Sequence, residues 1–318
     1  MSTKLIHKLM LPAALVVGTG SYLIYHSCGA LREIGPVCHE IASVGQRVLI
    51  PLMLFLQFVR ISPRQMRPDR WHLLALAFQV GVFAVLTAAE ALIPEGPVRI
   101  LVESALLCFI CPTASAAGII TERLGGNLPS TMTYVFIIYA VVNILIPAAV
   151  PIIHPWEDAG FWSRASVLIL RLFPMLIMPA LLAWAVRYLT PRLHRAIYRI
   201  SHLSFYLWGI CLTFGMMLST RAMVLSGSSA LLVGGIAAVA ALSCALQYWA
   251  GSRIGSRAST MPSEAGVRTA AQGLGQKNTG LLIWMGYSFM TPVTSIAGGF
   301  YAIFQNIFNS WQIYRKER

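Results

Sequence analysis

Ten apolar stretches, most of them close to the length of a bilayer crossing, follow one another along the chain with only short polar breaks between. They cover 9–25, 48–59, 72–93, 100–121, 129–153, 165–186, 200–218, 225–250, 269–289 and 291–311. Crossing ~30 Å of hydrocarbon takes ~20 apolar residues in a helix, and lipid offers no partner to an unpaired backbone group. The fold class expected is therefore an all-α membrane protein of ten transmembrane helices. The second stretch is short and is expected to extend into its flanks. Charged residues make up 11% of the 318, against about 25% in a soluble domain.

Loop charge tests the count. With the N-terminus inside, 17 Lys and Arg fall in cytoplasmic segments and 5 in outer ones, leaving Arg171 and Lys277 within spans. Positive-inside bias follows such counts, and omitting one span would erase it. Both termini are expected in the cytoplasm of a multi-pass protein of the cell (inner) membrane. Lys4 and Lys8 before the first run resemble a signal peptide, yet no small-x-small site follows, so an uncleaved span is expected. The net charge of +13 belongs to the loops, and no basic-aromatic pattern points to nucleic acid.

Two spans are interrupted. In the fourth, Cys111-Pro112-Thr113-Ala114-Ser115-Ala116-Ala117-Gly118 breaks an apolar helix with proline and small residues. In the ninth stands Gly273-Leu274-Gly275-Gln276-Lys277-Asn278-Thr279-Gly280. A lysine at the bilayer centre costs about 2.5–3.5 kcal/mol on insertion scales, and opened backbone is tolerated there only inside protein or beside a cavity. Each break lies in the fourth span of a five-span half. Matched interruptions point to a transporter site, and halves with an odd number of spans must be inverted. The expected organisation is one membrane domain of two repeats, 1–155 and 156–318, with helices four and nine crossing at their breaks.

These residues resemble the bile acid:sodium symporter family. The likeness rests on Cys111-Pro112 with the small residues after it, Thr121, Gly126-Asn127, Gly275, Asn278-Thr279-Gly280, and Tyr301 with Gln305-Asn306. It implies a panel domain and a core domain, with an organic anion bound between them. The sodium-coupled members carry Glu where this chain has Gly273 and Gln where it has Lys277. Their Ser and Asn of the first crossing become Ala117 and Gly118, while Gln79 still matches and Thr131 stands in for a hydroxyl. An ammonium has replaced the only carboxylate, and a cation beside it would be repelled at low dielectric.

The expected function is secondary transport of a small or amphipathic organic anion by alternating access, without sodium coupling through the usual sites. A non-transporting receptor on the same fold, or a sodium-coupled symporter using a different site, are the alternatives. The substrate-binding residues expected are Lys277, Asn278, Thr279, Gln276, Gln79, Ser115 and Thr113. Pro112, Gly118, Gly273 and Gly275 are expected to shape the breaks. Lys277 has two readings, a tether for carbonyls freed at the break or a fixed charge that replaces the ion and attracts the anion. Asn127 and Asn278 serve equally as helix caps or ligand contacts.

Glu90 and Glu103, the two acids within apolar spans, either reach the outer interface or, for Glu103, pair with an Arg or a helix end. A proton-carrying role for Glu103 is the alternative, and Arg171 either snorkels outward or pairs with it. Tyr134 and Tyr139 suit interfacial anchoring, and His154 with Glu157 and Asp158 suits a solvated loop. Cys28 and Cys38 share an outer loop and either bridge or stand as unrelated small residues; the four cysteines within spans read as packing residues. No Cys/His spacing suggests a metal, and no cofactor motif or catalytic constellation is present. The expected partners are an organic anion and membrane lipid, and oligomeric state is not legible.

Overall fold

The computed structural model describes residues 3–114, 116–154 and 160–316. Helix accounts for 87% of the structure, and the described residues contain no strand. In chain order the helices are α1 (Thr3–Ser27), α2 (Gly35–Val59), α3 (Arg70–Leu92), α4 (Pro97–Ile110), α5 (Ala117–Arg123), α6 (Leu128–Ile153) and α7 (Phe161–Leu176). Then follow α8 (Met178–Leu189), α9 (Pro191–Ile200), α10 (Ser204–Leu225), α11 (Ala230–Ala258), α12 (Ser263–Gly275), α13 (Thr279–Phe289) and α14 (Ile296–Lys316).

The starts of these helices are written in the chain. Asp69 caps α3 by accepting from the Arg70 N–H, while His72 reaches back to the Asp69 N–H. Ser229 caps α11 through the Leu232 N–H, and proline opens α4 and α9. Proline suits the first helical turn because that turn has no use for its missing donor. Gly125, at φ 76°, turns the chain between α5 and α6, a conformation that costs glycine nothing.

Five stretches are long and apolar enough to cross a membrane: Gly35–Val59, Arg70–Leu92, Leu128–Ile153, Pro191–Leu225 and Ala230–Ala258. Helices α7 and α8, bent by 42° at their junction, make a sixth if taken as one span. The chain thus has the make-up of a multi-pass membrane protein. The second apolar run does extend into its flank, since α2 begins at Gly35. Cys38 therefore sits in a helix, and both it and Cys28 carry free thiols. The bridge considered from their spacing is not formed.

Helices from the two halves of the chain interleave. One layer packs α1 on α10, α10 on α2 and α2 on α8. In the other, α11 lies against α3, α4, α12 and α14, and α12 also meets α5 and α6. The contact between α11 and α12 is close enough that a Cβ at Gly251 would stand 2.6 Å from the Ala270 carbonyl oxygen.

Loop groups sort to two ends. At one end Arg60 pairs with Glu122 at 3.2 Å, Lys316 Nζ donates to the Arg123 carbonyl, and Thr260 donates to Asp69. At the other end Arg99 donates to the Ile153 carbonyl, and Arg221 donates to the Tyr287 hydroxyl. Between α8 and α10, the stretch read as a connecting loop forms α9. None of its residues is buried, and its arginines alternate with Leu193, Ile197 and Ile200 in the manner of an interfacial amphipathic helix.

Candidate functional site

The two interrupted helices meet at their breaks. Helix α4 stops at Ile110 and α5 starts at Ala117, while α12 stops at Gly275 and α13 starts at Thr279. The segments between run antiparallel as a single bridge, Thr113 against Lys277. Ala114 N–H donates to the Gln276 carbonyl at 2.8 Å, and Asn278 N–H donates to the Pro112 carbonyl at 2.9 Å. A break exposes backbone groups that a membrane interior cannot solvate, so the remaining ones need side chains. Gln305 on α14 accepts from the Lys277 N–H at 2.9 Å and donates to its carbonyl at 3.3 Å. Tyr301 donates to the Gly275 carbonyl, Tyr139 to that of Thr113, and Gln79 to that of Cys111.

Lys277, Gln276, Asn278, Thr279, Thr113 and Gln79 are thus brought together, all buried. Ser115 lies outside the described residues. Three of the group are already occupied: the Thr113 hydroxyl donates to the Gly273 carbonyl, and the Gln79 carbonyl accepts from Tyr134 at 2.9 Å. Asn278 caps α13 by accepting from the Leu281 N–H, and Asn127 caps α6 through the Ser130 N–H. For both asparagines, capping is the role the geometry assigns. Tyr134 and Tyr139, expected at the membrane interface, are fully buried and hold the crossing through their hydroxyls.

Lys277 differs from the tether considered for it. Its backbone is held on both sides, yet its Nζ has no hydrogen-bond partner. The ionisable groups around the ammonium are the thiols of Cys111, Cys108 and Cys244. The Gln276 side chain is likewise buried with neither polar atom bonded. Gly275 permits the approach of α12 to α11, because a Cβ there would lie 2.5 Å from the Tyr248 ring. A Cβ on Gly273 would lie 2.9 Å from Trp71, and one on Gly118 would lie 2.6 Å from a Leu128 methyl. Pro112 lies within the break itself, its carbonyl taken by Asn278.

A cavity of about 510 Å³ opens between α2, α7, α10 and α13, and none of the residues expected to bind substrate lines it. Its walls carry Arg47 from α2, Arg171 from α7, Arg221 from α10 and His39, with Trp284 and Tyr287 of α13 facing them. No acid lines it, and none of the three arginines forms a salt bridge among the described residues. The size suits a drug-sized ligand. Glu40 lines the adjoining cavity with Arg47 and Arg221 but pairs with neither, and converging guanidinium groups free of salt bridges suit an anion, which they can bind bidentately. Deeper in, Gln46 is fully buried with both amide atoms unbonded, between Gly215 of α10 and Gly280 of α13.

No known family model matches the chain, and no curated protein matches it significantly. The site therefore has to be read from its own chemistry.

Arg47 and Arg221 enter the sequence reading only as loop charges, and Gln46 not at all. Their only linear signal is a polar group at the edge of an apolar run. Glu103, read as facing outward or pairing, is buried and binds a helix end. Its carboxylate accepts from the Thr291 N–H at 2.6 Å and from the hydroxyls of Thr291 at 2.8 Å and Thr294 at 3.3 Å. Arg171 does not pair with it, standing instead 5.9 Å over the Phe289 ring. Glu90 is fully buried too, against the expectation that it reaches the interface. Burial opposes charge on the neighbouring His154 imidazole, but the carboxylates of Glu103 and Glu90 outweigh it and raise its pKa.

Proposed function

We propose that the protein is a secondary transporter of a small or amphipathic organic anion, working by alternating access in a cell membrane. The observation that carries this reading is the cavity with three arginines free of salt bridges against α13, one arm of a broken and crossed span. Opened backbone at the crossing, its groups bonded by the opposite break and by side chains of α3, α6 and α14, is the arrangement from which secondary transporters build their sites. In this reading the three arginines and His39 collect the anion from the outer side. Lys277 and Gln276, buried with unbonded polar groups, supply the inner half of the path when the layers move against each other.

In this reading the chain crosses the membrane ten times. Taking α4 with α5, α7 with α8 and α12 with α13 as single broken spans gives ten in all, with α9 on the surface. The loop groups then meet only partners from the same side of the membrane. Arg60, Glu122, Arg123 and Lys316 join at the inner end, and Arg99, Glu103, Arg221 and Tyr287 at the outer. The resemblance to the bile acid:sodium symporter family points the same way, with Lys277 standing where those members use a coupling cation. Purified protein in proteoliposomes, offered radiolabelled carboxylates, sulfonates and sulfate esters, is expected to accumulate at least one of them. Arg171→Gln with Arg221→Gln is expected to lower that uptake at least tenfold, about 1.4 kcal/mol. Flux of none of these anions through correctly folded protein would end the proposal.

A further inference from the structure

Away from the crossing and the basic cavity, three ligating side chains converge at the outer ends of α3, α4 and α6. They are Glu90, Glu103 and His154, with their ligand atoms all within 4.8 Å of one another. His154 Nε2 stands 3.5 Å from Glu103 Oε2 and 3.7 Å from Glu90 Oε1. A four-coordinate ion with bonds of about 2.0–2.2 Å keeps its ligands about 3.4 Å apart, so these spacings bracket an ion without rearranging the backbone. Glu90 supplies a second, independent observation. Its side chain is completely buried, and neither carboxylate oxygen makes a hydrogen bond. Leaving a buried carboxyl group unbonded costs free energy that a ligand recovers. His154 Nε2 also lacks a hydrogen bond.

We propose that Glu90, Glu103 and His154 form a binding site for a borderline divalent cation of the zinc class. One imidazole with two carboxylates suits Zn²⁺ in preference to Ca²⁺ or Mg²⁺, which take all-oxygen sets. A route in exists, since His154 lines a cavity of about 640 Å³ with Glu95 and Arg99, and a water from that side completes four-coordination. The outer shell is already set: Thr291 and Thr294 bond the Glu103 carboxylate and orient it. Among the described residues, Arg99 is the one other cation facing the cluster, its Nε 3.9 Å from Glu90. Its terminal nitrogens are turned away, one to Glu95 and one to the Ile153 carbonyl. The rival occupant of the same space is a proton on His154, balancing the two carboxylates.

The bound ion joins the ends of α3, α4 and α6. Through Glu103 it also fixes the turn Pro292–Ser295 that starts α14. Zn²⁺ titrated calorimetrically into the full-length, tag-free protein in detergent, at pH 7.5, is expected to bind at one ion per chain and to raise the melting temperature saturably. Glu90→Gln and His154→Gln are each expected to weaken binding at least tenfold and to remove the thermal shift. Co²⁺ on the unmutated protein reports without any substitution, and is expected to give the strong visible bands of a four-coordinate site of nitrogen and oxygen ligands. Binding left unchanged by both substitutions marks an adventitious ion only. That result, the lack of stoichiometric binding, or the lack of those bands at saturating Co²⁺ overturns the site and leaves the proton as occupant.

Discussion

Lys277 is the residue on which most of the chemistry turns. Its stem and head are entirely enclosed, and its Nζ finds no acceptor, so the fold bears an uncompensated polar group at its centre. An orphaned buried donor costs about 1–3 kcal/mol, and more when charged. Lys277→Met keeps the length and removes that penalty. The variant is expected to melt at a higher temperature than the parent, while uptake of the transported anion falls about tenfold or more. A scanning calorimetry trace beside an initial-rate assay reads both, and unchanged transport would place the working charge elsewhere. At this scale the sequence was a good guide to which residues are unusual and a poor guide to how they are used. Asn278 and Gln79 were expected to bind substrate; in the fold the one caps a helix and the other holds a carbonyl. Neither use is visible before the neighbours are in place.

At the scale of the element, the two breaks are stable because each completes the other's hydrogen bonding. What remains is satisfied by Gln79 of α3, Tyr139 of α6 and the side chains of α14, where Gln305 behaves as a segment of backbone, accepting from one Lys277 group and donating to the other. Gln305→Leu preserves bulk and strands both, at about 1–3 kcal/mol for each buried group. The expected loss of stability is therefore about 2–6 kcal/mol, read as a lower midpoint in denaturant and as faster exchange at the Lys277 amide. An unchanged midpoint would mean that the crossing does not depend on α14. The interruptions themselves were readable in advance, from Pro112 and the glycines around Lys277. Helix α9 was not, because three arginines in ten residues suggest a loop until their spacing is set on a helix. Tyr134 and Tyr139 were misread for a related reason: an aromatic hydroxyl near a span end suits an interface and a buried carbonyl equally well.

For the whole molecule, α2, α7, α10 and α13 enclose a basic cavity, and the crossing of the two broken spans is closed by direct backbone pairing. In the proposed transporter, Lys277 at that crossing takes the role that a coupling cation would otherwise fill. Uptake is accordingly expected to be the same, within about twofold, when sodium is replaced by potassium or choline at constant ionic strength. This prediction rests on Gly273, Ala117 and Gly118 providing no side-chain oxygen and on the repulsion Lys277 would exert on an incoming ion. A flux that saturates with sodium would refute it. The sequence by itself determined that the chain is helical and suited to a membrane, and where its helices break, because hydropathy, proline and glycine act on their own segment. Only the tertiary structure decided which helices touch. It brought Arg47, Arg171 and Arg221 to one cavity, joined Glu90, Glu103 and His154 at one end, and left Lys277 sealed inside. Those pairings depend on helices distant in the chain, and in lipid every apolar face is equally free to pack; close approach and polar satisfaction make the choice, and both exist only between segments.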